Sequence, residues 1–182
     1  MVNHDLVNGF SERAVASGAE VEKSGTLKEA RNFVKCFIQG NKIIKVMASS
    51  EVAAIVPQDL ALSFLTPDRT EACGAVELGL VFAHWGIAET GTLVHLDTND
   101  EERMIWTLPP VCIAWLETQK IVPDIESLAP VIARHLAHPA APSPQVSLVT
   151  GPSRTADIEN VLSTGVHGPG RLIVILVEAN AG

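Results

Sequence analysis

The sequence predicts an α/β layered domain built on a parallel sheet. Three observations predict it. Segments with strand and helix patterns alternate along most of the chain. The run Leu172-Ile173-Val174-Ile175-Leu176-Val177 lacks polar alternation, as a strand covered on both faces of a parallel sheet should. A chain of 182 residues, 47% hydrophobic and 19% charged, can bury a full core and is too apolar for a disordered chain. One domain over residues 1–182 is therefore expected.

Taken in order, Thr26-Leu27-Lys28-Glu29 has the form of a capping box, and Leu27, Ala30, Val34, Phe37 and Ile38 recur on one face, predicting a helix from about 26 to 39. Lys42 to Met47 reads as a short buried strand between Gly40-Asn41 and Ser49-Ser50. Pro57 to Leu65 is expected to be a helix opened by proline at its first turn. Two apolar runs then flank the Thr90-Gly91 turn signal, where Gly91 would admit a positive φ. Thr98-Asn99-Asp100-Glu101 is a second capping box opening a helix that Pro109-Pro110 must end, and Val111 to Leu116 follows as a strand. Pro123-Asp124 opens a helix striped by Ile125, Leu128, Ile132 and Leu136, and Pro139 to Pro144 is a stiff connector. The last unit reads as βαβ: strand Val146 to Val149, turn Gly151 to Arg154, helix Thr155 to Ser163, strand Leu172 to Val177.

Charge narrows the function classes. A formal net charge of −8, with only Lys35, Lys42 and Lys45 in the densest basic stretch, disfavours nucleic acid. The first residues lack a basic, apolar leader and no window has the run a membrane span needs, so a cytoplasmic location without a membrane span is expected. Cys36, Cys73 and Cys112 are odd in number and far apart, which suits reduced, half-buried thiols better than a disulfide framework or thiolate metal cluster.

Three stretches carry candidate chemistry. Gly151-Pro152-Ser153-Arg154-Thr155 lies between a strand end and an expected helix start, where free N–H groups and the Arg154 fork could hold a carboxylate or phosphate. The same residues also read as an ordinary cap, with Arg154 paired to Asp157 or Glu159. Glu89, in the turn Glu89-Thr90-Gly91-Thr92, is the candidate base or nucleophile if desolvated, and otherwise a solvated turn acid. His167 and Gly168 sit in a glycine-rich loop that does not match a dinucleotide fingerprint. His167 could exchange protons with a ligand or only tie its loop. His135 and His138 read as solvated groups at a helix end, Asp97, Asp100, Glu101 and Glu102 as a solvated acidic face, and no metal site is expected.

IAETGTLV at 87–94, PPVCIAWLETQKIVPDIE at 109–126 and GPSRTADIENVLSTGVHGP at 151–169 together resemble the lactate utilisation protein C (LutC/YkgG) family, the compact form of the LUD domain. The resemblance covers about residues 15–178, which leaves 1–14 peripheral, and implies a three-layer open sheet with helices on both sides, as in the glucosamine-phosphate isomerase, ribose-phosphate isomerase and CoA transferase group (NagB/RpiA/CoA transferase-like), and a role in oxidising L-lactate to pyruvate beside two iron–sulfur partner proteins. It also implies that Glu89, Ser153, Arg154 and Thr155 line one pocket. This chain departs from the pattern before the first motif: relatives often carry Gly-Ala-Asp and an aromatic residue where Phe82-Ala83-His84-Trp85 stands. His84 would change the charge of any ligand contact there, or pack against Trp85.

Oxidising a 2-hydroxy acid requires an acceptor for two electrons, which ordinary side chains cannot be. The sequence has no Cys-x-x-Cys pattern, haem attachment motif or convincing flavin or nicotinamide fingerprint, so no cofactor is expected in this chain. The expected role is an accessory, anion-binding subunit; the alternatives are a stand-alone isomerase or acyl transferase using Glu89, and a regulatory module sensing a small acid through Arg154. Expected partners are a small anionic molecule and iron–sulfur subunits, with a homo-oligomer left open.

Overall fold

The computed structural model describes residues 3–54, 56, 60–65, 75–97, 100–138, 144–156, 162–164 and 168–178. Asn3 caps helix α1 (His4–Ala16), which leads into strand β1 (Glu20–Ser24). The capping box forms as read: Glu29 N–H donates to Thr26 Oγ1 and Thr26 N–H to Glu29 Oε2, opening α2 (Leu27–Gly40). Strand β2 (Lys45–Ala48) starts later than expected because the chain is still turning at Lys42, where φ is +54°. Helix α3 (Ser50–Ala53), β3 (Ser63–Phe64), β4 (Leu78–Phe82), β5 (Trp85–Ile87), β6 (Thr92–Asp97), α4 (Asp100–Thr107) and β7 (Val111–Glu117) follow. Short 3-10 turns precede β8 (Ile121–Val122) and α5 (Ala129–Leu136), and the chain continues through β9 (Gln145–Val149), β10 (Arg154–Ala156), β11 (Leu162–Thr164) and β12 (Arg171–Val177).

Six strands make a parallel sheet in the order β1-β12-β7-β4-β2-β3. Its central strands alternate between two cores, because successive side chains leave opposite faces. Leu172, Val174 and Leu176 join Cys112, Ala114 and Leu116 against Phe10 of α1 and Trp106 of α4. Ile173, Ile175 and Val177 join Ile113 and Trp115 against Val34 of α2 and Val52 of α3. The open three-layer α/β expectation is met, and the unalternated run 172–177 lies inside the sheet with both faces covered. A second sheet, β8-β5-β6-β9, packs Ile87 and Val94 against Leu128 and Ile132.

Five expectations are corrected. Residues 1–14 were expected at the periphery, yet Phe10 and Ala14 are fully buried under the large sheet; the amphipathic face of α1 needs a core to cover it. The helix expected over 155–163 is, where described, the antiparallel pair β10–β11, with 157–161 outside the described residues. Hydroxyl and β-branched residues such as Thr155 and Thr164 favour extended pairing, and a short helix without a packed stripe is marginal. The βαβ reading fails with it, since β9 pairs antiparallel with β6 in the second sheet. Within 57–65, residues 63 and 64 form β3 and not a helix; Pro57–Asp59 lie outside the described residues. The helix expected from Pro123 begins as a 3-10 turn at Glu126, because Asp124 turns its carboxylate onto the Ser127 N–H at 2.9 Å before the α-helix starts at Ala129. The capping box at 98–101 and the connector at 139–144 fall largely outside the described residues.

Candidate functional site

The turn between β5 and β6 and the turn after β9 meet at the carboxyl end of α1. Gly91 has φ +67° and its Cα lies so close to α1 that a Cβ would stand 2.2 Å from the Ala14 nitrogen. Gly151 has φ +71°, and a Cβ there would stand 2.3 Å from the Ser17 carbonyl oxygen. Only glycine meets both demands. A chain of hydroxyls joins the turns: Thr90 Oγ1 to Thr92 Oγ1 at 2.6 Å, and Thr92 Oγ1 to Thr150 Oγ1 at 2.7 Å.

Beside this junction lies a cavity of about 410 Å³. Trp106, Thr150, Gly151, Ser153, Arg154 and Gly168 are among its lining residues. Ser153 N–H donates to the Pro169 carbonyl at 2.8 Å, which sets the loop wall, and Arg154 lies beside Gly18. The sequence-derived candidates thus divide. Gly151, Ser153, Arg154 and Gly168 share the cavity, while Thr90, Gly91 and Thr92 stand behind it through the hydroxyl chain. Glu89 is exposed, donates its N–H to the Pro123 carbonyl at 3.0 Å, and is not in the cavity lining. For Thr155 only the backbone is described, and His167 lies outside the described residues. Without a helix at 155, an anion here would rely on side chains and loop N–H groups, not on a helix dipole.

A second cavity, of about 320 Å³, opens at the carboxyl ends of β4 and β7, where Glu51, His84, Trp85, Glu117 and Lys120 converge. Lys120 Nζ stands 4.9 Å from the centre of the Trp85 ring. His84, the departure noted in the sequence, accepts the Leu96 N–H on Nδ1 at 3.1 Å and packs its ring 4.5 Å from that of His95. Burial, and then the neighbouring His95, holds the His84 imidazole below its ordinary value of 6.5. Burial likewise lowers His95, against the opposing pull of the Phe82 carbonyl, and raises Asp97, against the Ser147 hydroxyl.

Sequence reasoning misses His95 and the burial of Asp97. The acidic run suggests a solvated Asp97, but its side chain is fully buried on β6. The available signal was alternation: His95 and Asp97, two apart on a strand, point to one face. His135, expected to be solvated, instead donates its Nε2–H to the carbonyls of Asp97 at 3.0 Å and Gln145 at 2.9 Å, tying β6 to β9. The cysteines also divide, with Cys36 exposed, Cys112 fully buried and Cys73 outside the described residues.

Fold and cavities define an open α/β protein with candidate ligand sites at loop junctions and at the carboxyl edge of a parallel sheet. Residues 7–177 match the family model described as LUD domain, and the chain belongs to that family. It is 33% identical to an uncharacterized protein of Neisseria meningitidis serogroup B over 195 residues, covering 92% of this chain and 82% of that one. It is 35% identical to lactate utilization protein C of Bacillus subtilis over 101 residues, 56% of this chain and 42% of that protein. The corresponding protein of Geobacillus thermodenitrificans is 33% identical over 115 residues, 63% of this chain and 48% of that protein. The matches span about half the length of these two relatives. In fold it is similar to the crystal structure of a DUF162 family protein from Deinococcus radiodurans, with a TM-score of 0.69, 18% identity, and coverage of 96% of this chain and 97% of that one. Among the described residues no helix is long and apolar enough to cross a membrane.

Proposed function

We propose that this chain is a non-redox component of L-lactate utilisation that holds a small carboxylate in the cavity beside Arg154. The observation that carries the reading is the convergence of Arg154, Ser153 and the glycine walls of Gly151 and Gly168 on one cavity of about 410 Å³. A guanidinium fork matches a carboxylate with two parallel hydrogen bonds, a hydroxyl can add a third, and glycine walls let backbone N–H groups approach. Relatives named lactate utilization protein C support the substrate class. The two electrons would leave on iron–sulfur partner proteins, since no ligation motif for such a centre stands in this sequence.

Titration calorimetry with L-lactate and pyruvate tests the reading. One of them binds at one site per chain, and Arg154→Ala lowers its affinity at least about tenfold, the scale of one charge-assisted pair. Silence for both acids, or an Arg154→Ala variant that binds as well as the native chain, overturns it. Alone, the chain gives no lactate-dependent dye reduction, and it restores that activity when added to its two partners. Reconstitution that runs equally well without it removes the accessory role.

A further inference from the structure

Behind the first cavity, between Trp106 and His84, two buried acceptors face one another. The His95 side chain is 5% exposed and Asp97 is fully buried. His95 Nδ1 lies 2.8 Å from the Phe82 carbonyl oxygen, so Nδ1 carries the proton and Nε2 presents a bare lone pair. Ser147 donates its hydroxyl to Asp97 Oδ2, leaving Oδ1. Neither His95 Nε2 nor Asp97 Oδ1 has a hydrogen-bond partner. They stand 3.7 Å apart, beyond the reach of a shared proton. One ligand atom from each of His95, Asp97 and Glu102 of α4 lies within 4.8 Å of the other two.

We propose that His95 Nε2, Asp97 Oδ1 and the Glu102 carboxylate bind a divalent zinc ion. Two unpartnered acceptors in a dry interior repel, and a cation between them turns that repulsion into attraction. Tetrahedral zinc, with N and O ligands at about 2.0–2.1 Å, sets its ligand atoms about 3.3–3.4 Å apart, so the side chains of His95 and Asp97, neighbours on one face of β6, need to close by only a few tenths of an ångström. Glu102 reaches the ion by turning its side-chain torsions. The imidazole in the donor set selects zinc over magnesium or calcium, which prefer oxygen alone. The surroundings already orient the ligands: the Phe82 carbonyl fixes the imidazole tautomer and Ser147 fixes the carboxylate, as outer-shell groups do at metal centres. Three protein ligands leave a fourth position, and Ser147 and Trp106, which border the cluster, also line the cavity of about 410 Å³. The inference does not rest on the carboxylate reading of that cavity, because the three ligands are not among its lining residues.

Chelator-stripped full-length chain, titrated with zinc against a chromogenic competitor, tests it. The native chain takes up one zinc, and magnesium or calcium in excess does not displace it. His95→Gln and Asp97→Asn, which keep size and shape, each weaken zinc binding at least about tenfold while circular dichroism stays native. Cys36→Ser, which removes an exposed surface ligand, leaves the affinity unchanged. Cobalt loaded in place of zinc gives visible d–d bands, and X-ray absorption finds only nitrogen and oxygen neighbours; this holds even if a ligand variant fails to fold. No stoichiometric uptake, undiminished binding by both ligand variants, or sulfur in the coordination shell overturns the proposal.

Discussion

Substituting alanine for Gly91 and for Gly9 sets two glycines of one neighbourhood against each other. At Gly91 the φ of +67° is a left-handed conformation that costs a non-glycine residue about 1–2 kcal/mol. The new Cβ would also stand 2.2 Å from the Ala14 nitrogen and 2.6 Å from the Arg13 carbonyl carbon. Both are main-chain atoms of α1 and cannot rotate away. The helix must move, loosening Phe10 and Ala14 under the sheet, a form of overpacking that costs about 1–3 kcal/mol. The total is about 2–5 kcal/mol, and a chain of this size should melt about 4–20 °C lower. Gly9 lies in the same helix with nothing within 4 Å of its virtual Cβ. Alanine there gains helix propensity of about 0.8–1.0 kcal/mol, raising the melting temperature by about 2–4 °C. Differential scanning calorimetry of both variants at one pH and buffer measures the pair. A Gly91→Ala chain that melts with the native protein, or a Gly9→Ala shift in the same direction as Gly91→Ala, refutes the close docking of α1 on the turn.

A carboxylate and a thiol elsewhere in the fold give two further outcomes. Glu77 accepts the N–H groups of Ile44 and Lys45 at 2.9 and 2.8 Å, which hold its carboxyl below the ordinary value of 4.5. A depressed folded-state value contributes stability above the unfolded value and loses it as pH falls through the folded one. Urea midpoints from pH 6 down to the acid limit should therefore fall less steeply in Glu77→Gln than in the native chain, and identical acid limbs would show the contact contributes nothing. Burial pushes the Cys112 thiol up to about 12, so it is almost wholly protonated at pH 8 and shut from solvent. Peptide mapping after iodoacetamide should find Cys112 unmodified in the native protein and modified only after denaturation; native labelling would mean that the core around β7 opens.

Patterns that read neighbours along the chain were legible before the fold. The Thr26–Glu29 box opened α2, Gly91 made its turn, and the unbroken run at 172–177 entered the middle of a parallel sheet, because each depends on a few adjacent residues. Misreadings arose where a segment's partner lies far away. Val146 to Val149 has the same local pattern whether it extends the parallel sheet or, as here, runs antiparallel to β6. The first helix has the same stripe whether exposed or covered, and its burial comes from β7 and β12, a hundred and more residues on. For the site, residue types at 151–154 gave part of the lining, since glycine, hydroxyl and arginine within one turn share a surface by necessity.

Adjacent residues alone specify the alternation of helix and strand up to β7, the apolar content of the central strands, the acidic net charge and the turn that groups Ser153 with Arg154. It takes the assembled layers to leave Glu89 outside the Arg154 cavity, to lay α1 over the large sheet, and to strip water from His95 and Asp97 while they face each other. Desolvation and ligand geometry belong to the space between elements. A carboxylate at 97 has the same covalent neighbours in water as buried against Ser147, and the chain acquires that difference in chemistry only when β6, β9 and α4 close around it.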